Sequence, residues 1–277
     1  MVAPLQCLQR SINYSVYSST LAKELSLPLN IGDIMLESEL ILQRNVDDNF
    51  LELVWGPKSN VKESPFRIDF QDFGKINRLK QSANTELLCK AIGKSACVVD
   101  MTSGVGRDSI ILASGLPERF VLMCERTKAL YYLVKDAIKR LHSDNWQLSN
   151  RMMLENIDSA VELERIQQLL LTNNQSKVSV YLDPMYPMDH TSKRKAKCKK
   201  ETQFLHRLVV PFESSKAEEA NNQLLFENAV KLCTDRIVVK RPLNGVSLIP
   251  SLPPHDSLKG STQRFDIYFK NRLKIVS

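Results

Sequence analysis

The sequence lacks long apolar runs, and its few cysteines show no metal-binding spacing. The longest apolar stretches, such as residues 178–182, are far shorter than the roughly 18 residues needed to cross a bilayer, so no membrane-spanning segment is expected. Cysteine occurs six times without a C-x-x-C pair, which argues against a disulfide framework or a zinc site and favours a reducing compartment, the cytoplasm. Because the four histidines are equally scattered, we expect no metal centre.

The composition is that of a folded chain with a modest excess of positive charge. Hydrophobic residues make up 43% and charged residues 25% of the 277 positions, which excludes a disordered or collagen-like chain. A net charge of +7 favours an anionic partner such as nucleic acid without proving one. A basic protein with no such partner is an equally valid interpretation.

Residues 1–75 are expected to form an N-terminal extension of short strands. Strands are predicted at Leu40–Arg44 and Leu51–Trp55, on either side of a turn at residues 46–49. Residues 1–23 carry basic but no acidic side chains, as a transit peptide would, yet they lack an apolar core followed by a cleavage site. The pattern of residues 19–27 is instead typical of a short amphipathic helix.

Residues 76–277 show apolar strands that alternate with helical patterns. Strands are predicted at 96–100, 120–125, 151–158, 178–183, 236–240 and 264–269, and helices at 85–91, 107–114, 128–141, 160–171, 202–210 and 221–232. This alternation predicts βαβ units and therefore a doubly wound α/β domain with a mostly parallel sheet covered on both faces.

Four of the predicted strands end in an acidic residue, namely Asp100, Glu125, Asp158 and Asp183. In parallel sheets the ligand site lies at the carboxyl ends of the strands. One acid in such a position would be unremarkable, but four on successive strands predict a binding site at that edge of the sheet.

The loop that follows the first of these strands, residues 100–108, reads D-M-T-S-G-V-G-R-D. Gly104 and Gly106 allow a tight turn and a close approach of the backbone to a ligand. The third glycine of the dinucleotide fingerprint is missing, and the acid at Asp100 favours a cationic or zwitterionic ligand over a pyrophosphate. Glu125, at the end of the next strand, is placed to accept hydrogen bonds from ribose hydroxyls. A plain strand–helix turn and a solvated acid are the simpler alternatives.

The corner at residues 182–187 reads L-D-P-M-Y-P. Its two prolines fix φ and flank an aromatic ring, which gives a rigid corner. Such a corner suits the binding of a planar amine, with Asp183 and a backbone carbonyl accepting the amine hydrogens and Tyr186 stacking on the ring. An Asp-Pro turn with a packing tyrosine is the alternative.

This corner resembles the Asp/Asn-Pro-Pro-aromatic motif of S-adenosylmethionine-dependent amino methyltransferases. Its specific form resembles the RsmJ family, which methylates the N2 amine of a guanine in small-subunit (16S) ribosomal RNA. Residues 100–108, 125–126, 236–242 and 264–268 resemble that family in the same order, and the likeness covers about residues 65–269. The resemblance implies a seven-stranded class I methyltransferase fold, S-adenosylmethionine as cofactor, and ribosomal RNA or the assembling 30S subunit as partner.

The resemblance also implies roles for individual residues. It makes Asp183, Pro184 and Tyr186 catalytic. Cofactor contacts are implied for Arg107, Asp108, Glu125, Arg126, Asp158, Ser159 and Asp183, beside Asp100, Gly104 and Gly106 of the first loop. The chain departs from the family pattern in two places: residues 78–86 contain no glycine, and Asp158-Ser159 stands where the family has Ser-Ser.

A basic cluster follows the corner, with six positive charges in the eight residues 193–200. Its position beside the expected substrate site predicts phosphate contacts with RNA, which add affinity without reading sequence. The predicted RNA-binding residues are Lys193, Arg194, Lys195, Lys197, Lys199 and Lys200, extended by Lys240 and Arg241. A solvated loop is the alternative, since most charge runs are solvated.

Three other functions remain open at this point. A methyltransferase acting on protein glutamine or on another RNA base would use a related amine-binding corner. A nicotinamide dehydrogenase shares the fold, but it would prefer the missing glycine and no acid at position 100. A non-catalytic RNA-binding protein would retain the basic cluster but would have no use for Glu125 and Asp183 at the strand ends.

Overall fold

A computed structural model of the chain describes residues 14–16, 40–45, 47–55, 64–70, 86–184 and 215–273. The described residues up to Ile68 belong to one compact unit, and those from Asp69 onward belong to a second. The domain boundary expected after residue 75 falls in the range 71–85, which lies outside the described residues.

The first unit contains a small four-stranded sheet. In pairing order its strands are β1 (Tyr14–Val16), β2 (Leu40–Arg44), β3 (Leu51–Trp55) and β4 (Phe66–Arg67). β1 is parallel to β2, whereas β2–β3 and β3–β4 are antiparallel. The bounds predicted for β2 and β3 are confirmed. The helix predicted at residues 19–27 lies outside the described residues.

The second unit contains the predicted seven-stranded, mostly parallel sheet. Its strands are β5 (Cys97–Asp100), β6 (Phe120–Cys124), β7 (Met152–Glu155), β8 (Val178–Leu182), β9 (Arg236–Pro242), β10 (Asp256–Lys259) and β11 (Gln263–Phe269). They pair in the order β10-β11-β9-β8-β5-β6-β7. All pairs from β9 to β7 are parallel, and β11 is antiparallel to both β9 and β10. The edge strand β10 was not predicted individually.

The direction in which strands are added to this sheet reverses near its centre. Along the chain, β6 and β7 are added on one side of β5, and β8 and β9 on the other. The connections after β5 and β8 therefore diverge, and ligands bind at such a switch point in open α/β sheets. The register pairs Tyr181 with Asp100, so β5 and β8 end at the same level.

Six α-helices lie among the described residues. They are α1 (Leu87–Ile92), α2 (Arg107–Gly115), α3 (Lys128–Asp144), α4 (Trp146–Ser149), α5 (Leu163–Thr172) and α6 (Ser215–Leu232), and a 3₁₀ turn, Lys270–Arg272, follows β11. None of the helices within the described ranges is both long and apolar enough to span a membrane.

Three helix starts differ from the prediction, and the short helix α4 was missed. α1 begins at Leu87, two residues later than predicted. α5 begins at Leu163 instead of residue 160, because the carbonyl oxygen of Asp158 accepts the amides of Val161 and Glu162 and forms a turn there. α6 begins six residues earlier than predicted, at Ser215. The helix predicted at residues 202–210 lies outside the described residues.

Two arginines hold the end of α2 against the sheet. Arg119 is only 1% exposed, and its guanidinium donates to the carbonyl oxygens of Gly93, Ser95 and Leu112. Arg151 donates to three further carbonyl oxygens, those of residues 113, 116 and 119. Because a buried carbonyl without a partner is costly, these arginines stabilise the connection that leads from α2 into β6.

Candidate active site

The loop between β5 and α2 is shaped by two glycines with different surroundings. Both have positive φ, 54° at Gly104 and 76° at Gly106. Among the described residues, a Cβ built on Gly104 would meet only a carbonyl oxygen, that of Thr102 at 3.9 Å, which leaves room for a ligand on this face of the loop. A Cβ on Gly106 would lie 2.8 Å from Cζ of Phe70. Close packing against Phe70 therefore adds a structural requirement for Gly106 that the sequence analysis did not predict.

Glu125 joins this loop to the end of β6. Its Oε2 accepts a hydrogen bond from the Gly104 amide at 2.8 Å, and its Oε1 accepts one from the Thr127 amide at 2.6 Å. Burial raises the pKa of Glu125, although both amides oppose the shift. Since a carboxylate can accept about four hydrogen bonds, acceptor capacity for a ligand remains.

The loop after β7 brings Asp158 and Ser159 to the same edge of the sheet. Asp158 is half-buried, and its Oδ1 accepts the Ala160 amide at 3.1 Å. Ser159 is buried, and its carbonyl oxygen accepts a hydrogen bond from Asn228 of α6 at 3.0 Å. Asn156 similarly donates to the carbonyl oxygen of Glu125 at 2.7 Å. Neither asparagine is predicted from the sequence, and both hold the ends of β6 and β7 in place.

Asp100 is buried beneath the site. One of its oxygens accepts the Ser109 hydroxyl, and the other accepts the Thr102 amide at 3.1 Å. Burial raises the pKa of Asp100 to about 7, and the nearby charges of Asp108 and Asp183 act in the same direction. Both oxygens already bind the loop and α2, so Asp100 holds these elements together.

Lys240 connects the ends of β8 and β9 to α2. Its Nζ lies 2.8 Å from Oδ2 of Asp183 and 2.8 Å from Oδ2 of Asp108. The Tyr181 hydroxyl donates to the same Asp108 oxygen at 2.6 Å, and the Asp183 amide donates to Oγ1 of Thr102 at 2.6 Å. Although burial opposes the charge, the two carboxylates raise the pKa of Lys240 well above its usual range. The lysine is therefore an ammonium ion held between two carboxylates.

The arrangement leaves one acceptor of Asp183 available. The side chain is 34% exposed, and its Oδ1 has no hydrogen-bond partner among the described residues. The predicted acids of β5, β6, β7 and β8 all lie at one edge of the sheet, on either side of the switch point. Arg107 and Arg126 are half-buried at the same edge, at the start of α2 and directly after Glu125.

Lys240 and Arg241, the two predicted extensions of the RNA-binding cluster, both make contacts within the folded unit. Lys240 is engaged by two carboxylates, and Arg241 is only 4% exposed, with its Nε donating to the Val246 carbonyl oxygen at 2.7 Å. β9 continues two residues beyond the predicted strand, to Pro242, so Arg241 lies within the strand instead of after it. The predicted residues Tyr186, Lys193, Arg194, Lys195, Lys197, Lys199 and Lys200 lie outside the described residues.

The comparisons with known proteins agree with this geometry. Residues 30–270 match the family described as "Putative SAM-dependent methyltransferase". A SAM-dependent methyltransferase from Neisseria gonorrhoeae has the same fold, with a TM-score of 0.64 at 23% identity over 94% of this chain and 97% of that chain. Fold and family together define a methyltransferase that uses S-adenosylmethionine, and the dehydrogenase and non-catalytic alternatives are set aside.

The relatives identify the family more closely. Ribosomal RNA small subunit methyltransferase J of Francisella tularensis is 35% identical over 208 residues, 73% of this chain and 78% of the relative. The protein of the same name from Coxiella burnetii is 30% identical over 268 residues, 91% of this chain and 97% of the relative. The chain belongs to the methyltransferase J family, as its motifs predicted.

The residues at the sheet edge fit S-adenosylmethionine. The Ser103 hydroxyl is buried and has no hydrogen-bond partner among the described residues, which leaves a donor beside the open face of Gly104. Glu125 and Asp158 provide acceptor oxygens suited to ribose hydroxyls and an amine. The surrounding carboxylates suit a ligand that carries positive charge. Among the described residues, no group of three or more His, Cys, Asp or Glu side chains is arranged to hold a metal ion.

Proposed function

We propose that this enzyme methylates the exocyclic N2 amine of a guanine in small-subunit (16S) ribosomal RNA, either free or in the assembling subunit. The observation that carries the proposal is the Oδ1 of Asp183, which has no hydrogen-bond partner among the described residues and lies at the switch point near the Gly104 loop. The substrate is suggested by the relatives, which are named as methyltransferases of small-subunit ribosomal RNA.

In this proposal the cofactor lies across the ends of β5, β6 and β7. Glu125 binds the ribose, Asp158 and Ser159 bind the adenine side, and the loop from Gly104 to Asp108 binds the methionine end. Arg107 and Arg126 complete the binding site. When bound, S-adenosylmethionine would supply a methyl group on a positively charged sulfur. Transfer would break the S–C bond as the new N–C bond forms, leave S-adenosylhomocysteine as the product and release one amine proton.

Asp183 orients the attacking amine. The lone pair of a guanine amine is delocalised into the ring, and accepting one amine hydrogen at Oδ1 turns the nitrogen toward the methyl group and stabilises the charge that develops on it. Most of the rate enhancement then comes from holding two reactants in line. Pro184 fixes the corner, and Tyr186 is proposed to stack on the base, which has to leave its own stack to reach the site.

The cluster at residues 193–200 is proposed to bind RNA phosphates. Six cations in eight residues would give an affinity that falls steeply as salt concentration rises. From this substrate we also infer a cytoplasmic location. That location agrees with the four cysteines of the described part of the chain (Cys89, Cys97, Cys124 and Cys233), which are all buried and free.

The test is methyl transfer from labelled S-adenosylmethionine to ribosomal RNA that lacks the modification, followed by mass analysis of the nucleosides. We expect label in N2-methylguanosine from the small-subunit RNA. Asp183→Ala should lower kcat on the order of 100-fold, because one acceptor at the reacting nitrogen is lost. Asp256→Ala, on the edge strand β10, is the matched control and should retain activity. Label in another base, or in protein glutamine, would contradict the proposed acceptor.

A further inference from the structure

Lys240 is a half-buried lysine whose charge lies between two carboxylates. The parallel register pairs Val239 of β9 with Leu182 of β8, so Lys240 continues β9 beside Asp183. Its side chain is 23% exposed and reaches two carboxylate oxygens at 2.8 Å each. Because its charge is directed into the site, phosphate binding at a surface does not account for it.

We propose that Lys240 is a positioning residue that fixes the Asp183 carboxylate, so that Oδ1 faces the target amine. This inference rests on the proposed role of Asp183 as the amine acceptor. Lys240 holds Oδ2, while the Thr102 hydroxyl holds the Asp183 amide. Asp183 is therefore fixed through both its backbone and its side chain, and among its contacts with the described residues Oδ1 remains available for a substrate.

Asp108 anchors the lysine in turn. Its Oδ2 accepts both the Lys240 ammonium at 2.8 Å and the Tyr181 hydroxyl at 2.6 Å. Tyr181 is fully buried on β8, so Asp108 has little freedom to move. A chain of side-chain contacts therefore links β8 to the carboxylate of Asp183, and it runs from Tyr181 through Asp108 and Lys240.

The charges around Asp183 give this arrangement a measurable signature. Burial raises the pKa of Asp183, Lys240 and Arg241 lower it, and Asp108 raises it. Asp100 and Tyr181 also face the cluster, from β5 and β8. Removing the lysine charge should therefore raise the pKa of Asp183, whereas removing the Asp108 charge should lower it. The raised pKa of Lys240 excludes the lysine as a general base at neutral pH.

The experiment titrates Asp183 in the ligand-free protein by ¹³C NMR with labelled aspartate, using Asp183→Asn to assign the signal. Lys240→Met should raise the titration midpoint by about one pH unit or more, the effect of losing an opposite charge at contact distance. Asp108→Asn should lower the midpoint, and Lys240→Arg should leave it near the wild-type value. An unchanged midpoint in Lys240→Met, or shifts of the same sign in both neutral variants, would overturn the inference.

Kinetics separate positioning from RNA binding. Lys240→Met should lower kcat about 10- to 100-fold while KM for RNA changes little, because the carboxylate is displaced and the RNA surface is intact. Lys240→Arg should recover most of kcat. A higher KM with unchanged kcat and a flatter salt dependence would identify a phosphate contact and overturn the inference. If Lys240→Met fails to fold, Lys240→Gln replaces it in both measurements, with the same expected rise in the titration midpoint of Asp183.

The two proposals fail in different ways. If the wild-type enzyme methylates another acceptor, the proposed function is wrong, yet the Asp183 titration still tests the link to Lys240. If the enzyme methylates guanine N2 but the midpoint does not respond to Lys240, only the positioning role is lost.

Discussion

The backbone amide of Asp183 donates a hydrogen bond to the hydroxyl of Thr102 at 2.6 Å. The two residues lie 81 positions apart, in the connections that leave β8 and β5 on either side of the switch point. This bond ties the proposed amine-binding corner to the proposed cofactor loop. The distance between the two reactants therefore depends on a side chain that touches neither of them in the proposal.

Thr102→Val should impair both stability and catalysis. The isosteric valine leaves a half-buried amide without its acceptor, which costs about 1–3 kcal/mol of unfolding free energy. Because the corner then moves relative to the loop, kcat should fall by more than KM rises. Denaturant unfolding and steady-state kinetics measure the two effects. Thr102→Ser retains the hydroxyl and should behave like the wild type, so an equal loss in that variant would contradict the role of the hydrogen bond.

Gly106→Ala should destabilise the protein more than Gly104→Ala. Both substitutions place a Cβ at positive φ, which costs roughly 1–2 kcal/mol. At Gly106 the new carbon would also lie 2.8 Å from Phe70 Cζ and 3.1 Å from Met123 Cε, which adds about 1–3 kcal/mol of overpacking. Denaturant unfolding of the two variants gives the comparison.

A double-mutant cycle separates packing from backbone strain at Gly106. Phe70→Leu should relieve part of the cost of Gly106→Ala, so the double variant should be more stable than the sum of the single effects predicts. Strict additivity would show that the aromatic ring does not press on this position. Phe70→Leu combined with Gly104→Ala is the matched control, since the Gly104 Cβ would not reach the ring.

The order of the elements followed from the sequence, but the partners of the side chains did not. Acids at the ends of apolar runs are visible as a local pattern, and they correctly indicated one edge of the sheet. The partners of Lys240 lie 132 and 57 positions away, at Asp108 and Asp183, so no local pattern pairs them. The contact between Lys240 and Asp183 does follow from the strand pairing, because the two residues come next after the paired Val239 and Leu182 on neighbouring parallel strands.

Arg241 and Gly106 show a second limit on what can be predicted from the sequence. Two adjacent basic residues are typical of an exposed surface. Arg241 is nevertheless buried, and its guanidinium donates to the carbonyl oxygen of Val246, beyond the end of β9. A G-x-G pair is typical of a ligand-binding loop. Gly106 is also required because a side chain there would collide with Phe70, which lies 36 positions earlier in the chain. Both features depend on contacts that form only when the chain has folded.

Asp100 should make the stability of the protein fall as pH rises through the weakly acidic range. Its pKa is raised from 3.8 to about 7 in the folded state, so the folded protein binds this proton more tightly than the unfolded chain does. Between about pH 4 and pH 7 the free energy of unfolding therefore falls as the pH rises. Unfolding free energies of wild type and Asp100→Asn should diverge over that range, by up to about 4 kcal/mol, and run parallel above it.

A second variant checks the sign of this effect. Ser109 donates to the ionised Asp100 carboxylate, and this hydrogen bond lowers the pKa of Asp100. Ser109→Ala should therefore extend the loss of stability to higher pH. A difference between wild type and Asp100→Asn that stays constant from pH 4 to pH 8 would show that the buried carboxyl is not the titrating group.

Arg119→Met should destabilise the protein far more than the same substitution at a surface arginine. The methionine fills part of the space but leaves the carbonyl oxygens of Gly93, Ser95 and Leu112 without donors, at a cost of roughly 3–5 kcal/mol. Arg165→Met is the control, because that side chain is 46% exposed and its ion pairs with Glu155 and Glu162 are worth about 0–1 kcal/mol. Denaturant unfolding of both variants measures the difference. Arg119→Lys should recover only part of the loss, since an ammonium group on a shorter side chain does not reproduce the spread of the guanidinium donors, and full recovery would show that charge alone holds this end of α2.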